Sequence, residues 1–144
     1  MRRSVLVIGR LHHLVLDCPE PRSLARFYSQ LLGEPITYDS DDWVVVSTSP
    51  QASGLAFQLA PDHRPPTWPD ASVPQQVHID VMVEDVAAAT PNVLALGARM
   101  LNGEHVFADP AGHPFCLVKR PGWAEPISND SHDAGPDDVV IVSA

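Results

Sequence analysis

Two stretches of the chain follow one plan. His13-Leu-Val-Leu-Asp17 opens an alternating run, passes into a helix-like segment and stops at Leu32-Gly33. His78-Ile-Asp-Val-Met82 does the same and stops at Leu96-Gly97, after a nearly equal interval. An internal repeat of this kind restricts the fold more than composition can, because each copy must form the same supersecondary unit. It also places one histidine at an equivalent point in each half of a pseudo-symmetric molecule.

In the first copy, residues 11–18 alternate as a strand until Pro19-Glu20-Pro21 interrupts them. Residues 22–32 carry Leu24, Phe27, Tyr28, Leu31 and Leu32 at i, i+3, i+4, i+7 and i+8, the apolar stripe of a helix, with Gly33 as its C-terminal cap. Strands are predicted over 35–39, 43–48 and 54–60, separated by Ser40-Asp41-Asp42 and Ser49-Pro-Gln-Ala-Ser-Gly54. The unit is therefore β-α-β-β-β.

Residues 61–75 hold Pro61, Pro65, Pro66, Pro69 and Pro74 and read as an extended connector. The second copy then repeats the order. A strand covers 76–83, Glu84-Asp85 forms the helix entry, and a helix covers 86–96 with Gly97 as cap. Shorter strands follow near 99–102 and 104–108, then one over 113–119 after the turn Asp109-Pro-Ala-Gly112. Pro91 is expected to kink the second helix or delay its start. The chain thus divides into an N-terminal extension (1–10), a paired-module domain (11–119, modules 11–60 and 76–119) and an acidic C-terminal tail (120–144). The β-branched run Val139-Val-Ile-Val142 either pairs with Val5–Ile8 or frays with it.

A hydrophobic content of 44% and a charged content of 19% are enough to build a core. The net charge is −9; Glu125, Asp130, Asp133, Asp137 and Asp138 in the tail supply five of these charges, which leaves −4 for the rest. Such a chain is a poor partner for nucleic acid, whose phosphates demand cationic neutralisation. Its acidity favours a neutral or cationic ligand over an anionic one. Cys18 and Cys116 form no CxxC motif and suggest no disulfide framework, so reduced thiols in the cytoplasm are expected. The apolar run within Met1–Gly9 is shorter than the ~7–15 residues of a signal-peptide core. No stretch approaches the ~20 apolar residues of a membrane span.

Alternation assigns a face to each strand residue. His13, Val15 and Asp17 oppose Leu14 and Leu16; Ala56 and Gln58 oppose Leu55, Phe57 and Leu59. His78, Asp80 and Met82 oppose Ile79, Val81 and Val83; Pro114, Cys116 and Val118 oppose Phe115 and Leu117. The apolar faces need cover, which the two helices can supply. The other faces, curved together, would line one cavity carrying His13, Gln58, His78 and Cys116, the polar lining expected of a ligand site. The fold class is α+β: two β-α-β-β-β modules forming a curved mixed sheet around a pocket.

Paired units with these side chains resemble the vicinal oxygen chelate superfamily and, more narrowly, its glyoxalase-like domain proteins. Gln75-Gln-Val-His-Ile-Asp-Val-Met-Val-Glu-Asp85 and Phe107-Ala-Asp-Pro-Ala-Gly-His-Pro-Phe-Cys-Leu-Val118 carry the resemblance, with Leu11–Gly33 in support, so that it covers about 11–119. It implies a homodimer. Metal-dependent members hold one divalent ion, such as Zn, Ni, Mn or Fe, through four side chains, typically His or Gln, Glu, His and Glu. These positions fall on His13, Gln58, His78 and Cys116. Both histidines match and both carboxylates are replaced. Carboxylates suit the hard, water-bearing ions that polarise vicinal oxygens. Gln58 offers only a neutral carbonyl oxygen, whereas Cys116 offers a thiolate of the kind Zn²⁺ accepts.

Two functions follow from the resemblance. One is the binding or sequestration of a small organic molecule without metal, or an atypical enzyme. The other is a metal-dependent lyase, isomerase or dioxygenase acting on a small oxygenated substrate, with His13 and His78 as ligands. The missing carboxylate pair favours the first. Trp43, at the head of a strand, and Trp68, in the connector, either wall the pocket against a flat ligand or pack on the surface. Asp17 and Asp80 either orient the histidines or cap turns. His63, His105 and His113 read as surface or turn residues, His12 as structural and His132 as solvated. Asp109–Gly112 reads as a hairpin turn without chemistry.

Overall fold

The computed structural model describes residues 6–128. The elements run β1 (His13–Cys18), α1 (Pro21–Leu32), β2 (Ile36–Asp39), β3 (Trp43–Val46), β4 (Gly54–Leu59), β5 (Ile79–Val83), α2 (Val86–Ala95), β6 (Arg99–Met100), β7 (Val106–Ala108) and β8 (Pro114–Lys119). The β-α-β-β-β unit therefore occurs twice, in the α+β arrangement expected. Each unit forms its own open four-stranded sheet, ordered β1-β4-β3-β2 and β5-β8-β7-β6. In each, the first and last strands pair in parallel and the rest antiparallel. The expected single curved sheet is thus divided, because β1 and β5 each bond one neighbour only and a cleft lined partly by the proline connector lies between them. The partner suggested for Val5–Ile8, Val139–Val142, lies outside the described residues; Leu6, Val7 and Ile8 are exposed.

Helix α1 starts one residue earlier than its periodicity suggests, because Pro21 sits at the first helical position, where a missing N–H costs nothing. It ends at Gly33, whose left-handed φ of 67° lets the N–H groups of Gly33 and Glu34 both return to the Ser29 carbonyl. Leu24, Ala25, Phe27 and Tyr28 are its buried face. Full burial of Leu24 and Phe27 contributes roughly 1.5–3 kcal/mol each.

Helix α2 begins at Asp85, whose carboxylate accepts the Ala88 N–H at 2.8 Å. Pro91 neither ends the helix nor delays its start. Nearby, the Thr90 hydroxyl donates to the Val86 carbonyl at 2.7 Å, giving this weakened turn a side-chain hydrogen bond.

One core joins the two modules. Tyr28 of α1 stacks on Phe57 of β4 at 5.4 Å and meets Phe115 of β8 edge-on at 6.4 Å. Phe27 approaches Phe115 at 5.8 Å, and Phe107 stacks on Phe115 at 5.6 Å. The helix of the first module thus packs against the sheets of both.

A buried carboxylate reinforces that join. Asp109 begins the turn read above as Asp109–Gly112, yet it is only 4% exposed. Its Oδ1 accepts the N–H groups of Ala111 and His113, and its Oδ2 accepts the Tyr28 hydroxyl at 2.6 Å. Burial raises the Asp109 carboxyl above its ordinary range, and burial together with Asp109 keeps Tyr28 protonated far into alkali. Gly112 completes the turn at a positive φ of 91°, and a side chain there would run into Pro65 of the connector.

Candidate functional site

The two strand-head histidines open onto different clefts. His13 lies with Trp43, Tyr38, His12, Ser40 and Asp42 around an open cleft of about 470 Å³ beside the first sheet. His78 lines a second cleft, of about 280 Å³, between β1 and β5, with Val15 and Asp17 on one side and Arg64 and Pro66 of the connector on the other. Gln58 is exposed and Trp68 half-buried; neither lines these clefts. Cys116 is half-buried on β8, close to His78 and Asp80.

Strand register explains the separation. His13 is opposite Gly54 and Val15 is opposite Ala56. In the second module Ile79 is opposite Phe115 and Asp80 is opposite Cys116. Superposing the repeat on its histidines makes Asp80 the counterpart of Val15 and Cys116 the counterpart of Ala56. Gln58 lies two residues further along, at the place of Val118. The second module therefore gathers three donors where the first offers a histidine between apolar neighbours.

His13 is held in a defined state. Its Nδ1 accepts the Gly54 N–H at 3.0 Å. Partial burial and the adjoining His12 ring lower its basicity, which favours neutral imidazole. A neutral ring whose Nδ1 accepts must carry its proton on Nε2, so His13 is a hydrogen-bond donor there. A metal needs the ring's one free lone pair, which here lies on Nδ1 and is already engaged by the Gly54 N–H. The residues present thus do not fit the four-ligand divalent centre that the resemblance implies. His13 is committed as a donor, His78 lines a different cleft, and Gln58 lines neither of the two.

The other histidines of the second cleft are anchored. His113 donates its Nε2–H to the Asp17 carbonyl at 2.7 Å, and His63 donates to the Ala111 carbonyl at 3.1 Å while its ring packs on His113 at 4.7 Å. They tie the connector and the β7–β8 turn to β1. Arg64 has no ion-pair partner among the described residues. Sequence reasoning left out Tyr38, Arg64 and the grouping of Asp80 with Cys116. For Asp80 a signal was present, since it follows His78 by two residues and shares its face.

The two thiols differ sharply. Cys18 is fully buried and its pKa is pushed up to about 11, chiefly by burial. Cys116 is also raised, by burial and then by Asp80, but it is reachable from solvent. Iodoacetamide at mildly alkaline pH should therefore modify Cys116 and leave Cys18 intact in the folded protein. Peptide mass mapping reads this directly, and labelling of Cys18 first would contradict the burial described.

Comparison with known proteins agrees with this architecture. The family model described as Glyoxalase-like domain matches residues 13–118. No curated protein matches the chain by sequence. Among solved structures, a glyoxalase-related enzyme from Fulvimarina pelagi is 20% identical with a TM-score of 0.57, covering 86% of this chain and 96% of that one. A glyoxalase/bleomycin resistance protein/dioxygenase family enzyme from Burkholderia phytofirmans PsJN is 16% identical with a TM-score of 0.57, covering 76% and 97%. A bleomycin-binding protein complexed with bleomycin is 16% identical with a TM-score of 0.51, covering 78% and 99%. At these identities the structures speak for the fold. With two β-α-β-β-β modules in the fold and the family model spanning both of them, the chain belongs to the glyoxalase-like domain family.

Proposed function

We propose that this protein binds a small organic molecule in the His13–Trp43 cleft and that no metal takes part at that place. The observation that carries the proposal is the Gly54 N–H on His13 Nδ1, which leaves the imidazole a fixed donor at Nε2. Around it stand an indole, a phenol, a hydroxyl and a carboxylate, from Trp43, Tyr38, Ser40 and Asp42. Aromatic walls with a few oriented polar groups suit a flat, neutral or cationic organic ligand. The bleomycin complex of a structural neighbour supports a binding role for this architecture. The two free cysteines suit a reducing compartment. Pairing of two chains belongs to the same proposal, supported by the exposed apolar side chains Leu14, Val15 and Val77.

Bleomycin and a panel of flat aromatic cations, screened by thermal shift and then by calorimetry, test the proposal. For a compound that binds, Trp43→Ala is expected to weaken affinity about 10–100-fold through lost stacking area. His13→Phe, which keeps the ring and removes the donor, should weaken it about tenfold. Light scattering on the same samples reads the mass of the binding species. Undiminished affinity in both variants would place the ligand elsewhere.

A further inference from the structure

We propose that the cleft between β1 and β5 binds a small zwitterion, a free α-amino acid with an apolar side chain, between Arg64 and Asp17. The site goes beyond the function proposed above, since this cleft shares no lining residue with the one around His13 and Trp43. Arg64 and Asp17 both line it and both are exposed. Neither enters an ion pair with the other or with any other described residue. A guanidinium and a carboxylate therefore face one small space with their charges unmatched. Apolar walls lie between them, from Val15 and Leu16 of β1, Ile79 of β5 and Pro66 of the connector. The volume of about 280 Å³ is near the lower end of ligand pockets, ~300 Å³, and suits a molecule of few atoms.

The two charges select the ligand class. The Arg64 fork suits a carboxylate, which it can take through two parallel hydrogen bonds, and Asp17 suits an ammonium. A simple anion would be drawn to Arg64 but repelled by Asp17 and by the chain's net charge of −9. A simple cation would be repelled by Arg64. A zwitterion gains at both ends and carries no net charge. Strand β1 adds backbone groups, because it bonds β4 alone and leaves its other edge to the cleft. The Cys18 carbonyl accepts the Ala60 N–H on the β4 side, whereas the Asp17 carbonyl is turned the other way, where His113 reaches it at 2.7 Å. Val15, two residues before Asp17, presents its N–H and C=O to the same side. Arg64 is held by its neighbours. His63 bonds the Ala111 carbonyl at 3.1 Å, and Pro65 lies so close to Gly112 that a side chain there would collide with it. The arginine thus extends from a backbone fixed on both sides, which lowers the cost of ordering it on a ligand.

Titration of the isotope-labelled full chain with L-leucine, followed by two-dimensional NMR, tests the assignment. N-acetyl-L-leucine and L-leucinamide are the companion probes, each lacking one of the two charges. Leucine up to about 10 mM should give saturable shifts at the amides of Val15 and Arg64. Each companion probe should bind at least about tenfold more weakly. Arg64→Gln and Asp17→Asn should each weaken leucine by at least about tenfold, and Arg64→Lys, which keeps the charge and loses the fork, should fall between. These variants replace exposed side chains, so the fold is kept. Arg26→Gln, which removes an exposed arginine outside the cleft, should leave the titration unchanged. Val15 is also offered above to a second chain, and a pair that closed the cleft would leave leucine without effect. That result would overturn the proposal. So would N-acetyl-L-leucine binding as tightly as leucine, which would mark a site for anions alone, or undiminished affinity in Arg64→Gln.

Discussion

Asp109→Ala is expected to lower stability by about 2–4 kcal/mol, because it removes the acceptor of one buried and two part-buried donors at once. The N–H groups of Ala111 and His113 lose their acceptor, and so does the Tyr28 hydroxyl. The Tyr28 hydroxyl in particular has no easy route to water, since Asp109 is 4% exposed and Tyr28 is fully buried. The urea midpoint should fall with the slope unchanged, the mark of lost stability without a change in the surface exposed on unfolding. A loss below about 1 kcal/mol would show that the network is dispensable. Asp109→Asn keeps an acceptor for the two N–H groups and should cost less.

The same residue sets a pH dependence whose sign can be worked out. Burial raises the Asp109 carboxyl in the folded state above its ordinary, unfolded value. In the interval between those values the folded protein binds the proton more tightly than the unfolded chain does. Stability from this group therefore grows as pH falls through the folded value, and levels off below the unfolded one. Asp109→Asn cannot titrate, so the margin of the wild type over this variant should widen on mild acidification. A constant margin would mean that the carboxyl is not perturbed.

Phe115→Ala is expected to cost about 3–5 kcal/mol, as large aromatic truncations in a closed core do. Phe115 lies within 5.6–6.4 Å of Phe107, Phe27 and Tyr28, so it is where α1 of the first module meets β8 of the second. Phe115→Leu, which fills much of the volume, should cost considerably less. Because the two sheets share this cluster, the wild type should unfold in one transition, with far-ultraviolet circular dichroism and tryptophan fluorescence coincident. Two separated transitions in the wild type would mean that the modules fold independently and that Phe115 does not couple them.

The repeat made the order of elements legible before any coordinates. The apolar stripe Leu24–Leu32 with Gly33 predicts α1, and the two histidines mark equivalent strands. Differences came where competing local effects were close in energy. Residues 76–78 were read as strand but precede β5, and residues 104–105 precede β7. Pro91 does not delay the start of α2, which runs from Val86 to Ala95. Asp109 carried no sign of burial, because Asp-Pro reads as a turn whether its carboxylate faces water or a tyrosine eighty-one residues away in sequence.

What the sequence by itself determined was parity. Alternation with period two assigns His13, Ala56, Gln58, His78, Asp80 and Cys116 to the faces that carry polar groups, since successive side chains must point opposite ways. It cannot distinguish Gly54, Ala56 and Gln58 as the partner of His13, because all three have the same parity and a slip of two residues leaves every face unchanged. Only the hydrogen-bonded register between distant strands decided that, setting Ala56 opposite Val15 and Cys116 opposite Asp80. The same tertiary structure gave His13 an N–H donor from Gly54 and divided the two histidines between a cleft beside the first sheet and one between the two sheets. Strand faces follow from local chain geometry, whereas the company a side chain keeps depends on contacts between segments far apart in the sequence.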